Sequence, residues 1–181
     1  MKPMFPTIMI AGLAGSLVAQ RAPAPADPPL HVSTSFDLVV HAPYAVAAPL
    51  FGPEGERAWA GGDWDPQFIH PQPAADVEGA VFTVKHGKHS ATWVTSCFDV
   101  EGRHFQYVYL MAEIMVTVID VRFKAMGADA TGVNVTYTRT ALTPEGNPHV
   151  AAMSEGDKAA GSEWQQAIDS YLAARKTGAG R

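Results

Sequence analysis

Residues 113–148, EIMVTVIDVRFKAMGADATGVNVTYTRTALTPEGNP, decide the fold. Apolar side chains recur at every second position in residues 113–124 and again in residues 131–142, which is the period of a β-strand with one buried face. The short loop of residues 125–130 joins the two strands, so they are predicted to pair antiparallel. Asn147-Pro148 then opens a helix, with Asn147 predicted as its N-cap and the proline at its first position.

A helical period replaces the strand period after residue 147. Apolar residues fall three, four or seven positions apart and make one helical face: Val150, Met153, Ala160, Trp164, Ile168 and Tyr171. Gly156 and Gly161 are predicted to weaken this helix and to let it bend. The pattern predicts one long C-terminal helix that lies across a sheet.

The residues before this stretch supply the other strands of the sheet. Alternating apolar positions predict strands over residues 32–41, 64–70, 80–85, 92–100 and 103–110. Residues 44–51 and 53–59 are predicted as two short helical segments after the first strand, the second with a proline at its start. Because short loops join most of the strands, the prediction is an α+β fold with a curved antiparallel sheet wrapped around the long C-terminal helix.

Several stretches, together with this element order, resemble the helix-grip fold of the START-like (SRPBCC) superfamily. FDLVVHAPY at residues 36–44 resembles its first strand and the start of its first helix. GERAW at residues 55–59 and GDWDP at residues 62–66 resemble a segment of a bacterial subgroup of that superfamily. VIDVRF at residues 118–123 and TYTRTALTPEG at residues 136–146 resemble its last two strands and the link to its final helix.

The resemblance covers residues 32–174 and carries an expectation about function. Members of this superfamily include lipid carriers, hormone receptors and polyketide cyclases, so the resemblance implies a deep cavity between helix and sheet for apolar or amphipathic molecules. The superfamily shares no catalytic set, and the stretches quoted are motifs of the fold. The resemblance therefore implies a binding site and leaves catalytic residues unassigned.

The first residues have the pattern of a secretory signal. Lys2 precedes an apolar run over residues 8–18, which is too short to span a bilayer. Small residues permit cleavage after Ala19 or after Ala26, and a buried N-terminal helix is the alternative interpretation. We expect a signal peptide over residues 1–26 and a periplasmic or secreted protein.

The remaining chain divides into a linker, a domain and a tail. Residues 27–30 continue a proline-rich, extended stretch that begins at residue 22. Residues 31–176 are predicted to form a single helix-grip domain, and residues 177–181 a flexible tail. With 47% apolar and 17% charged residues, the chain can bury a core large enough to hold an internal pocket.

Charge and cysteine content narrow the function classes. The net charge is −5 and no basic run is present, which disfavours nucleic-acid binding. Cys97 is the only cysteine, so no internal disulfide can form, and we interpret it as an apolar strand residue. His86 and His89 lack further ligands at metal-binding spacing, so we expect neither a metal nor a cofactor.

Strand parity and aromatic content select the candidate cavity residues. They are Trp64, Phe68, His70, Trp93, Tyr107, Tyr109, Ile119, Tyr137, Arg139 and Trp164. Trp93 is predicted to share its face with Thr95 and Cys97, whereas Asp120 and Arg122 are predicted to face solvent. An alternative is that the aromatic side chains fill the interior completely.

Arg139 lies an even number of positions from the inward-facing residues of its strand, so its side chain is predicted to point inward as well. An inward arginine needs an anionic ligand group or an acidic partner, because an unpaired buried charge is costly. The other interpretation places Arg139 at the end of the sheet, in water or paired with Glu or Asp.

Three functions fit these features. The first is an exported bacterial protein that binds an apolar or amphipathic small molecule, without a stable membrane span. The alternative is a cyclase or dehydratase that uses the same cavity, with His70, Tyr107 or Tyr109 as general acid or base and Arg139 holding an anionic group. A third is an adaptor with a filled cavity that acts through its surface.

Overall fold

The computed structural model describes residues 27–87 and 89–178. Seven strands form one antiparallel sheet in the order β1-β7-β6-β5-β4-β3-β2. The strands are β1 His31–Val40, β2 Gln67–His70, β3 Val81–His86, β4 His89–Asp99, β5 His104–Met111, β6 Met115–Ala125 and β7 Thr131–Ala141. The predicted signal peptide, residues 1–26, and the last three residues of the predicted tail lie outside the described residues.

Helices occur where the sequence predicts them. After β1 come α1, Tyr44–Ala47, a 3₁₀ turn, Ala48–Phe51, and α2, Pro53–Glu56. A second 3₁₀ turn, Pro144–Gly146, leads into α3, Asn147–Gly178, which has 32 residues and includes the first two residues of the predicted tail. None of the helices within residues 27–87 and 89–178 is both long enough and apolar enough to cross a membrane. The predicted α+β architecture is confirmed.

The prediction that Asn147 caps α3 is wrong. Its backbone angles, φ −54° and ψ −44°, are already helical, whereas an N-cap residue is extended. Its Oδ1 accepts a hydrogen bond from Leu30 N at 2.7 Å, and its Nδ2 donates one to Pro28 O at 3.1 Å. Asn147 therefore ties the chain before β1 to the start of α3.

Gly161 permits α3 to cross β1 at close range. A Cβ atom at this position would lie 2.9 Å from the Asp37 carbonyl oxygen and 3.3 Å from the Phe36 ring. A Cβ at Gly156 would meet nothing within 4 Å. The two glycines that the sequence analysis treats alike therefore differ, because only Gly161 is required by a close approach.

A β-bulge at Ser96 overturns the prediction for Cys97. The pairing of β4 with β5 shifts register between Thr95 and Cys97, which moves the following residues to the opposite faces. Phe98 then stacks on the buried Phe105, with ring centroids 4.1 Å apart. Cys97 is only half-buried and does not share the inner face with Thr95.

The opposite, outer face of the sheet carries the charges that the sequence assigns to it. Arg122 is exposed, and its Nε lies 2.8 Å from the half-buried Asp120 carboxylate. His104 Nε2 lies 2.7 Å from the same carboxylate. These contacts lie across the sheet from α3.

Candidate functional site

A cavity of about 1000 Å³ lies between α3 and the inner face of the sheet. Its wall is built from α2 and the loop that follows it, from strands β3 to β7, and from one face of α3. Eight of the ten candidate residues line it: Trp64, Trp93, Tyr107, Tyr109, Ile119, Tyr137, Arg139 and Trp164. The alternation of residues along the predicted strands thus identifies side chains that lie together in the structure.

The other two candidates lie away from the cavity wall. Phe68 stacks on Phe82, with ring centroids 5.2 Å apart, and so supports the wall from behind. His70 is exposed at the end of β2, an edge strand whose register shifts between Phe68 and His70. Because His70 does not reach the cavity, it is no longer a candidate acid or base.

Two tryptophans are fixed at the α2 side of the cavity by backbone hydrogen bonds. Trp59 Nε1 donates to Leu50 O at 2.7 Å, and Trp64 Nε1 donates to Pro53 O at 2.9 Å. The Trp64 ring also meets the Trp93 ring edge-on, with centroids 5.4 Å apart. The Nε1 atoms of both tryptophans are thus hydrogen-bonded within the protein, and both rings line the cavity.

The three predicted tyrosines differ in what their hydroxyl groups do. Tyr107 donates to Phe51 O at 2.7 Å, and the Tyr109 hydroxyl lies 3.8 Å from Met153 Sδ. Tyr137 keeps accessible surface deep in the fold, and this surface faces the cavity. Burial raises the pKa of Tyr137, and the negative charge of Glu56 raises it further.

Arg139 is paired within the fold. Its Nη2 donates to Asp157 Oδ1 at 2.9 Å, and its Nη1 bonds Asp157 Oδ2, to which the Thr34 hydroxyl also donates. The Arg139 side chain is 3% exposed, so the pair is inside the protein and not in water at the sheet end. Its charge is compensated by Asp157, so Arg139 is not available to pair with an anionic ligand group.

Sequence analysis missed Asp157, although a signal was present. Asp157 lies four residues after Met153 and three before Ala160, which places it on the predicted apolar face of α3. A lone carboxylate on a buried helical face calls for a cation on the facing element. Arg139, inward by parity, is that cation.

Glu56 is the second residue that sequence analysis missed. It ends α2, lines the cavity, and is not bonded to any donor or cation among the described residues. Burial raises its pKa well above the ordinary value, and the nearby Asp76 charge raises it further. A helix of four residues is too short to show a periodic pattern in the sequence. Only the packing of α2 shows that Glu56 lies at the cavity.

The position of α2 depends on Asp76, which precedes β3. Its carboxylate accepts hydrogen bonds from Glu54 N at 2.8 Å and from Gly55 N at 3.3 Å. A Cβ on Gly52 would lie 2.3 Å from the same carboxylate, so this position requires glycine. Asp76 therefore holds the first turn of α2 and sets the direction of Glu56.

Among the residues that the structure describes, the mouth of the cavity carries more acidic than basic charge. Asp63 and Glu163 are exposed there, opposed by the exposed Lys85. Asp65 also lines the mouth, but Arg57 neutralises it at 2.7 Å. Within residues 27–87 and 89–178, no three His, Cys, Asp or Glu side chains converge as a metal site.

This arrangement, a long helix held across a curved antiparallel sheet with a cavity between them, is the helix-grip fold. Comparison with solved structures agrees. Norcoclaurine synthase from Thalictrum flavum, solved in complex with dopamine and hydroxybenzaldehyde, is similar with a TM-score of 0.60 and 12% identity, over 80% of this chain and 88% of that one.

Two further structures share the fold. Ara h 8.0201 matches with a TM-score of 0.54 and 14% identity, over 80% of this chain and 99% of that one. CalU16 from Micromonospora echinospora matches with a TM-score of 0.52 and 15% identity, over 78% of each chain. No family model matches the sequence, and no curated protein matches it. At these identities the likeness shows the fold alone.

Proposed function

We propose that the protein binds an apolar or amphipathic small molecule in the cavity between α3 and the sheet. The cavity itself, about 1000 Å³ with largely aromatic and aliphatic walls and charged residues at its mouth, is the observation that carries this proposal. Small-molecule sites have this size and this lining. By analogy of fold, the dopamine and hydroxybenzaldehyde named with norcoclaurine synthase support small aromatic molecules as occupants.

The competing interpretation is an interior filled by its own aromatic side chains. Trp59 and Trp64 are held back by hydrogen bonds to Leu50 and Pro53, so neither ring is free to swing into the space. Tyr137 keeps accessible surface that faces the cavity. These contacts favour an open cavity and disfavour the adaptor function.

Dye titration with a matched pair of variants tests binding. Ala167 lines the cavity from α3, whereas Ala173 is exposed on the same helix. Phenylalanine at position 167 adds a ring to the cavity, so Ala167→Phe should weaken uptake of a polarity-sensitive apolar dye about tenfold. Ala173→Phe should leave uptake unchanged. Wild-type protein that takes up no dye, or equal uptake by the two variants, would contradict binding in this cavity.

A cyclase or dehydratase is the second candidate, and Glu56 favours it. A half-buried carboxyl with a raised pKa suits a general acid, and Tyr137 lines the same cavity. Native mass spectrometry of wild type and Glu56→Gln separates the two functions. Copurified molecules of equal mass indicate a binding protein, whereas a substrate in the variant and its product in wild type indicate an enzyme.

We also propose export, with the protein periplasmic or secreted. The support is the sequence pattern of Lys2 followed by the apolar run over residues 8–18. N-terminal sequencing of the chain expressed with its first 26 residues in a bacterial host tests this. A mature chain that begins at residue 20 or 27 supports export, and an intact Met1 in the cytosolic fraction overturns it.

A further inference from the structure

Glu56 is the half-buried acid of the cavity wall that the fold leaves without a partner. Asp157 is paired with Arg139, and Asp76 accepts hydrogen bonds from two backbone amides of α2. Throughout the described part of the chain, no donor and no cation meets the Glu56 carboxylate. Its accessible surface faces the cavity, so a group that pairs with it has to come from the cavity.

Glu56 is half-buried, and a carboxylate that loses water without gaining a partner costs free energy. We propose that the cavity binds an amphipathic molecule that carries a protonated amine, and that this ammonium group pairs with the Glu56 carboxylate. The inference rests on the proposed function, because it assigns the polar end of the ligand that the cavity takes up. The apolar body then lies against the tryptophan rings.

The charges around the cavity favour an amine over a carboxylate ligand. Arg139 is already neutralised by Asp157, so it offers little to an anion. Among the described residues at the mouth, Asp63 and Glu163 outnumber Lys85, and an excess of acidic charge attracts cations and repels anions. The cavity therefore discriminates by sign of charge before any hydrogen bond forms.

The rings next to Glu56 add a second attraction for a cation. Tyr107 and Tyr137 both line the cavity, and the Glu56 charge raises the pKa of each in addition to the larger effect of burial. Glu56 is therefore within electrostatic reach of both rings. An ammonium group near an aromatic face gains a cation–π interaction, which strengthens when water is excluded.

The pairing predicts a defined pH dependence. The titratable groups that face Glu56 are Asp76, from the segment before β3, Tyr107 of β5 and Tyr137 of β7. Burial raises the pKa values of both tyrosines and of Asp76. An amine needs ionised Glu56, so its affinity should rise with pH until Glu56 is deprotonated and should fall again when the amine loses its proton.

Calorimetric titration with three phenylalkyl probes of similar size tests the inference: 2-phenylethylamine, 2-phenylethanol and 3-phenylpropionate. Wild type should bind the amine about tenfold more tightly than the alcohol, and the carboxylate most weakly. Glu56→Gln should lose this preference while its affinity for the alcohol stays the same, which also shows that the variant is folded. Glu78→Gln, the same change at an exposed position away from the cavity, should retain the preference.

The outcomes separate this inference from the proposed function. Dye and alcohol uptake without an amine preference, or a preference that Glu56→Gln retains, overturns the amine site and leaves the binding cavity standing. Tighter binding of the carboxylate has the same meaning. Uptake of neither dye nor probe overturns both proposals.

Discussion

Arg139 and Asp157 form an ion pair that joins β7 to α3 inside the fold. Their side chains are 3% and 10% exposed, so neither charge is solvated if the other is removed. Breaking a buried pair leaves an uncompensated charge, which costs about 3–5 kcal/mol. Asp157→Asn should therefore lower the free energy of unfolding by about this amount, as measured by urea denaturation.

The controls for this prediction distinguish pairing from packing. Replacing both partners, Arg139→Met with Asp157→Leu, should restore stability to within about 1 kcal/mol of wild type, because no buried charge remains. Asp169→Asn removes the partner of the exposed His41 and should cost less than about 1 kcal/mol. A double variant as unstable as Asp157→Asn would show that charge compensation is not the reason.

Single residues also mark the limit of sequence analysis at this site. The inward direction of Arg139 follows from its parity with Tyr137, and Asp157 is readable as a carboxylate on an apolar helical face. The sequence does not predict that Glu56 lies at the cavity, because the position of α2 depends on Asp76, 20 residues later in the chain. His70 was placed wrongly because parity does not hold through the irregular pairing of an edge strand.

At the scale of elements, replacing each of the two glycines of α3 by alanine should change the free energy of unfolding in opposite directions. Alanine is the better helix former by about 1 kcal/mol, and at Gly156 the added Cβ meets nothing within 4 Å. Gly156→Ala should therefore raise the free energy of unfolding by about 0.5–1 kcal/mol. At Gly161 the Cβ would lie 2.9 Å from the Asp37 carbonyl oxygen, so Gly161→Ala should destabilise by about 1–3 kcal/mol.

Thermal unfolding of the two variants checks this pair. The substitution, the helix and the change in helix propensity are the same, so a difference in midpoint reports the contact with β1 alone. Equal shifts of the two midpoints would mean that α3 does not approach β1 as closely as the structure shows.

Elements with a regular period were predictable, and the irregular ones were not. β6 and β7 alternate without interruption, and their predicted ends lie within about three residues of the observed ones. The bulge at Ser96 has no local signature in the sequence, so Cys97 was assigned to the wrong face. Asn147-Pro148 did mark the start of α3, but tertiary hydrogen bonds to residues 28 and 30 gave the Asn147 side chain another role.

At the scale of the molecule, a large cavity within the core and a high stability oppose each other. The cavity removes packing contacts from the centre of the core, and the rings around it are held back by backbone hydrogen bonds. The aromatic contact between Phe36 and Trp164, with centroids 5.3 Å apart, secures α3 on the β1 side. The fold is thus packed where α3 meets β1, whereas α2, which carries Glu56, lines the cavity.

The free energy of unfolding should depend on pH, in a direction set by the Glu56 carboxyl. Its pKa in the folded state is raised by burial first and by Asp76 second, so the folded protein holds the proton more tightly than the unfolded chain does. The free energy of unfolding should therefore fall as pH rises from the ordinary glutamate pKa to the raised one, and then level off. Asp76, also raised, contributes in the same direction.

Asp120 acts in the opposite direction and has to be separated from this effect. Burial alone would raise its pKa, but hydrogen bonds from His104 and Gln106 and the charge of Arg122 outweigh burial and lower it. Its contribution to stability is present above the ordinary aspartate pKa and is lost as pH falls through the lowered one. The whole-protein pH profile is thus a sum of opposing slopes, and only a difference between variants isolates Glu56.

Urea denaturation of wild type and Glu56→Gln across pH 4 to pH 8 measures that difference. Below the ordinary glutamate pKa both side chains are neutral, so the pH-dependent part of the difference vanishes. As pH rises, ionisation of Glu56 penalises the folded wild type but not the variant, so Glu56→Gln should become progressively the more stable of the two. Glu78→Gln, at an exposed position, should show no such trend. A difference between wild type and Glu56→Gln that stays constant with pH would mean that the Glu56 carboxyl is solvated and is not an uncompensated group of the cavity.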